Sequence, residues 1–158
     1  MGWAEERVAQ IKAAQETEAA KNQRTLHAQA VIRNSADDLW ELLVSHLESN
    51  TKEFANALPL AKERNLRADR LNSNNLTIST QVAPLIHFEI IYSRGAHVDG
   101  LLRTCASLGE TREIKLNKIR FTVDSDLKPC FTDGERLLHP AKVAEELMEK
   151  VAEFFENA

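Results

Sequence analysis

Residues 76–91 read LTISTQVAPLIHFEII. Leu76, Ile78 and Thr80 alternate there with Thr77, Ser79 and Gln81, and Ile86, Phe88 and Ile90 then alternate with His87, Glu89 and Ile91. A period of two marks strands with one face turned to a core. These are two strands that turn near Ala83-Pro84. Further on, Arg94-Gly95 marks a turn, a strand runs from Val98 to Cys105, and Ser107-Leu108-Gly109 turns the chain again. Between Glu113 and Asp124, Ile114 and Leu116 hold one parity while Ile119, Phe121 and Val123 hold the other. Either Asn117-Lys118 is a tight turn or the strand carries a bulge. Asp133-Gly134, between Cys130-Phe131-Thr132 and Glu135-Arg136-Leu137-Leu138, predicts a hairpin with a type I′ turn. His139-Pro140 then opens a closing helix, with proline at its first position. Its buried stripe is Ala144, Leu147, Met148, Val151 and Phe155, with Glu145, Glu149, Glu153 and Glu156 on the wet side.

Upstream of these strands the period is helical. Leu39, Leu43, Leu47, Phe54 and Leu58 recur at helical spacing, widened by Trp40 and Val44, with Glu41, Ser45, Glu48 and Lys52 opposite. Pro59 ends this helix, because the residue before a proline is disfavoured in helical geometry. Residues 59–75 join helices to strands and include an expected short helix from Leu60 to Leu71. Asn34-Ser35 marks a new helix or a kink, with Ser35 placed to cap and Asp37 and Asp38 in the positive first turn. Before it, residues 2–33 are helical in character but nearly polar through the middle, with Trp3, Val8, Ile11, Leu26, Val31 and Ile32 toward the two ends. Thirty helical residues span roughly 45 Å, more than a small domain's diameter. A helix of that length with little buried area is marginal alone and more often lies in a bundle or against a symmetry mate, the alternative being a frayed terminus before residue 20.

The pattern predicts an α+β fold: an N-terminal helical pair, an antiparallel sheet of about four to six short strands covered on one face by helices, and a closing C-terminal helix. Residues 1–33 are expected to form an arm or dimerisation element and residues 34–158 a single domain. The outer sheet face should be polar, and Thr77, Ser79, Gln81, His87, Glu89, Arg103 and Thr122 fit that requirement.

The chain has 158 residues, is 43% hydrophobic and carries a formal charge of −4, so it offers no global attraction to nucleic acid or anionic membrane. Charge runs in blocks. Residues 34–58 hold one Lys against five acids, and residues from 129 onward hold three bases against seven acids. No apolar run approaches the length of a spanning helix and no secretory pattern opens the sequence, which places the chain in the cytoplasm. Cys105 and Cys130 lack CxxC spacing and read as reduced strand residues.

The residues that could carry chemistry are few. His97 and Asp99 share a strand face and could meet His87 and Glu89 across a hairpin, a set able in principle to bind zinc or to orient a general base. A polar, solvated sheet face produces the same pattern. His27, His46 and His139 show no ligand spacing. Asp124-Ser125-Asp126 begins like a calcium loop, but Lys128 and Pro129 stand where an acceptor and a glycine are required. Ser49 to Lys52 matches SxxK without its companion motifs, and Asn75-Leu76-Thr77 is a formal sequon. No GxGxxG, Walker loop, GxSxG or HExxH occurs, so no cofactor is expected. Lys62, Arg64, Arg67 and Arg70 make one basic cluster and Arg112, Lys115, Lys118 and Arg120 another. Both are flanked by acids, and the exposed aromatics that nucleic acid stacks upon are missing from their vicinity.

These readings favour a small non-enzymatic interaction domain, a homodimer or the receiver of a helical partner, anchored by Val8, Ile11, Leu26, Val31 and Ile32. The alternatives are a small-molecule or metal-binding protein or hydrolase-like enzyme using His87, Glu89, His97 and Asp99, and an anion or nucleic-acid binder using the basic clusters.

Overall fold

The computed structural model describes residues 2–106 and 109–157. The chain begins with α1 (Trp3–Ala57), a single helix of 55 residues, and α2 (Pro59–Glu63) follows after one extended residue, Leu58. The expected break at Asn34-Ser35 is absent, so the predicted helical pair is one rod. Two residues of modest helix propensity cost only tenths of a kcal/mol each, which the good formers on both sides override. The acids expected to serve a new N-terminus are used elsewhere: the Tyr92 hydroxyl donates to Asp37 Oδ1 at 2.6 Å, and Arg94 lies 3.5 Å from its other oxygen. Pro59 does end the helix, as expected, and occupies the first turn of α2.

Eight strands follow: β1 (Arg67–Asn72), β2 (Asn75–Ser79), β3 (Leu85–Ser93), β4 (His97–Cys105), β5 (Thr111–Lys115), β6 (Ile119–Val123), β7 (Pro129–Thr132) and β8 (Leu137–Leu138), before α3 (Pro140–Glu156). They form one antiparallel sheet in order β1-β2-β3-β4-β6-β7-β8, with β5 also paired to β4. This exceeds the four to six strands expected. β1 escaped the pattern because it is an edge strand with only Ala68 half-buried, so no apolar alternation marks it. The helix expected over Leu60–Leu71 stops at Glu63, and Asn65 turns the chain at φ 55°.

The phase conflict between Ile114 and Ile119 is a bulge. β5 and β6 lie end to end along β4, with Leu101 opposite Lys115 but Val98 opposite Ile119, so one residue is inserted between them. The Leu116 amide still donates to the Gly100 carbonyl, and a Cβ on Gly100 would stand 2.9 Å from Leu116 Cδ1 and 3.0 Å from Phe88 Cε1. That close packing requires glycine. The hairpin at Asp133-Gly134 is present, but its loop holds four residues, 133–136, and only Gly134 has positive φ. Instead of a type I′ turn, Asp133 Oδ1 accepts from the amides of Glu135 and Arg136. The turn expected at Ser107-Leu108-Gly109 falls on residues 107 and 108, outside the described residues.

α3 and the second half of α1 pack together on the inner face of the sheet. The stripe foreseen on α3 is buried, with Val143 added to it. An aromatic run crosses this interior: Trp40 stacks on Tyr92 at 5.4 Å, Tyr92 meets Phe121 edge-on at 5.6 Å, and Phe121 lies 5.0 Å from Phe131. Trp40 Nε1–H donates to the Ser73 carbonyl at 2.8 Å, which ties α1 to the β1–β2 turn.

Candidate functional site

α1 divides by burial. Every residue from Trp3 to His27 is exposed, whereas Ala36, Leu39, Trp40, Leu43, Val44, Leu47 and Thr51 are buried. The exposed segment extends roughly 37 Å. Eighteen residues make five whole turns, so positions eighteen apart lie on one line along the helix. Val8, Leu26 and Val44 form such a line, as do Ala4, Asn22 and Trp40, and Ile11 lies in line with Gln29 and Leu47. The side chains that enter the core from the second half therefore continue as a thinner stripe along the first half, where they are exposed. Val8 is 49% exposed, Ile11 44% and Leu26 64%, whereas Val44 and Leu47 are 1% and 0%.

Of the five expected anchors, Val8, Ile11 and Leu26 share this stripe. Val31 is half-buried and lies in line with Ser49, on the opposite side, and Ile32 packs against the domain's own core. Sequence reading missed the groove where the arm leaves the domain. It encloses about 590 Å³ between α1 and the β6–β7 turn, lined by Ala28, Ile32, Val123, Leu127 and Leu137, with Lys21 and Arg24 at its rim. Arg24 Nη2 donates to the Ser125 carbonyl at 3.4 Å across it. Leu137, expected as a strand residue, is in β8 and is 57% exposed, because alternation along the strand turns Leu138 inward and Leu137 outward. Trp3, at the free end of the arm, is 78% exposed.

On the outer sheet face His97 Nε2 and Asp99 Oδ2 lie 3.0 Å apart, and Asp99 Oδ1 is buried with no hydrogen-bond partner among the described residues. His97 pairs with Ser93, six residues along β3 from His87, so the two imidazoles stand roughly 20 Å apart along the strand. Glu89 accepts instead from Asn75 Nδ2 at 2.9 Å. Among the described residues no group of three or more His, Cys, Asp or Glu side chains is placed to hold a metal ion. The outer face otherwise carries mixed charge, including Arg103 and Glu113 at 3.1 Å. Thr77, expected to be wet, is buried between Asp69 and Glu89 of the neighbouring strands.

The first basic cluster is engaged internally. Arg70 grips the Glu41 carboxylate with two guanidinium nitrogens, which holds that carboxyl below its usual range. Arg67 pairs with Asp69 at 2.9 Å, and the Arg64 guanidinium lies 5.8 Å over the Phe155 ring. Lys62 stays exposed beside a cavity of about 490 Å³ that Lys52, Arg67 and Glu48 also line. The second cluster is split between faces. Arg112 borders a groove of about 520 Å³ with Leu102, Ile114 and Phe154, whereas Arg120 pairs with His97 on β4 and Lys115 with Leu101. Asp124, at the start of the rejected calcium loop, accepts from the amides of Asp126 and Lys128 and simply closes the turn. Cys105 and Cys130 are free, and burial pushes the Cys130 thiol up.

No helix among the described residues is long and apolar enough to cross a membrane. Comparison with protein-family models, with curated proteins and with solved structures finds no match to the chain.

Proposed function

We propose that this chain is a non-enzymatic assembly module: a small α+β domain that dimerises in the cytoplasm through the first half of α1. The observation that carries this reading is the continuation of the core stripe onto an arm whose stripe residues are exposed. Most helical stability in proteins comes from packing of an apolar face, and the arm's three large stripe residues gain only when another surface removes them from solvent. The formal charge of −4, the two free thiols and the mixed-charge sheet face support a cytoplasmic protein with no nucleic-acid partner. Light scattering on the full chain tests the reading. A mass near twice 17.8 kDa is expected, falling to one chain for the Val8→Glu/Ile11→Glu/Leu26→Glu variant.

A second reading, ligand binding on the outer sheet face, rests on the His97–Asp99 pair and the unpaired Asp99 oxygen. A ligand there would bring its own hydrogen-bond donor or cation to that oxygen. A thermal shift on adding zinc or manganese, abolished by His97→Ala, would favour it over the assembly reading.

A further inference from the structure

We propose that two arms pair antiparallel and that Trp3 of each chain seats in its partner's groove between the Ala28–Ile32 segment and the β6–β7 turn. This rests on the dimer reading above and specifies its geometry and its anchor. Three observations converge on it.

The first is charge. Residues 3–20 carry four acids against two bases, while residues 21–33 carry three bases and no acid. Two arms side by side in parallel align like with like. Antiparallel, each acidic half lies along a basic half. The second is register. A two-fold axis crossing the arm at Thr17 sets Val8 opposite the partner's Leu26, Gln15 opposite the partner's Ala19 and Ala4 opposite the partner's Ala30. Val8 and Leu26 then meet each other, Ile11 lies against the partner's Gln23, and small residues face small or flexible ones.

The third is the groove. In that register Trp3 falls at the level of the partner's Val31 and Ile32, inside the span of α1 that lines the 590 Å³ groove. Trp3 also lies to the same side of the Val8–Leu26 line as Thr25 and Ile32 do. A perpendicular two-fold keeps matching flanks of the two helices on one side, so Trp3 lies on the flank that carries the partner's groove. Glu6 comes to the level of the partner's Ala28, one turn from the rim cation Arg24. In a parallel pair Trp3 would lie beside its own copy, roughly 43 Å from the groove. The domain with the most exposed indole at one end of the arm thus carries an apolar recess at the other, including the solvent-facing Leu137. Tryptophan filling a desolvated pocket is among the commonest interface anchors.

Full-length Val8→Cys and Leu26→Cys variants, treated with a short thiol-specific cross-linker, read the geometry, with the wild-type chain as background for Cys105 and Cys130. The expected result is a covalent dimer from the mixture and none from either variant alone. Cross-linking of Val8→Cys to itself, or a dimer whose mixture yields no cross-link, overturns the antiparallel register and leaves the dimer standing. A single-chain mass by light scattering at high protein concentration overturns the dimer reading and this inference with it. Trp3 is tested by acrylamide quenching of the cross-linked dimer against its Trp3→Phe counterpart, since Trp40 is buried throughout. Protection of Trp3 and an at least tenfold weaker dimer for Trp3→Ala are expected. An indole as quenchable in the dimer as in unfolded chain overturns its seat in the groove.

Discussion

The two halves of α1 are one uninterrupted helix with one apolar line, yet only the second half lies under a sheet. Trp40 and Val44 are core, while Asn22 and Leu26, on the same lines eighteen residues earlier, face water. The difference lies in what covers the line and in how strongly the line is written. The domain half fills it with Trp, Leu and Val, so burial is permanent. The arm intersperses Val, Ile and Leu with Gln and Asn, which leaves a thinner stripe that stays exposed. Helix propensity carries the backbone through both halves. Burial alone distinguishes them.

The largest effect separates the halves directly. Trp40→Ala removes a buried indole that stacks on Tyr92 and donates to Ser73, and it should cost about 3–5 kcal/mol in chemical unfolding. Val8→Ala should leave the domain's unfolding midpoint unchanged, because the domain makes no use of that side chain. The second effect is confined to the arm. The Val8→Glu/Ile11→Glu/Leu26→Glu variant should lose part of its far-ultraviolet helical signal as the unpaired arm frays, while the sheet still unfolds in one cooperative transition. A full helical signal in that variant would show the arm stable alone.

The third effect probes the junction, where Tyr92 ties the sheet to Asp37 on α1 and accepts from the Gly95 amide at 3.0 Å. Burial, together with the Asp37 hydrogen bond, pushes the Tyr92 hydroxyl up to about 12, from an ordinary value of 10.0. Since its folded value lies above its unfolded one, this contribution is complete below pH 10 and is lost as pH rises toward about 12. Tyr92→Phe should cost about 1–2 kcal/mol near neutrality and flatten the alkaline decline, measured by urea unfolding across that range. The smallest effect lies in the β7–β8 turn. The amides of Arg136 and Glu135 hold the Asp133 carboxyl down at about 2 against an ordinary 3.8. Its stabilisation is present above pH 3.8 and lost as pH falls toward about 2, so Asp133→Asn should differ from wild type above that window and converge with it below.

The strands with one buried face, the stripe of α3 and the second half of α1 were all legible in the sequence, because each alternates against a single core. β1 was not, because an edge strand with both faces largely wet has no period to read. The bulge between β5 and β6 was visible as a phase conflict at Asn117-Lys118, although the sequence could not choose it over a turn. The continuity of α1 was hidden because Asn34, Ser35, Asp37 and Asp38 write a start signal that tertiary contacts of Asp37 override. At the candidate site, Val8, Ile11 and Leu26 were legible as apolar residues without a core. Their alignment with Val44 and Leu47 would have followed from counting five-turn steps, which also separates Val31 from them. The groove beside Ile32 joins residues about a hundred positions apart, and only the folded chain assembles it.

The central claim, that the first half of α1 is stripe awaiting a second copy while the second half is core, is tested most directly by the mass of the full chain in solution measured beside the Val8→Glu/Ile11→Glu/Leu26→Glu variant. The account predicts about twice 17.8 kDa for the wild-type chain and 17.8 kDa for the variant, with the domain still folded. A wild-type mass of one chain at every concentration, or a dimer that the three glutamates leave intact, would contradict it.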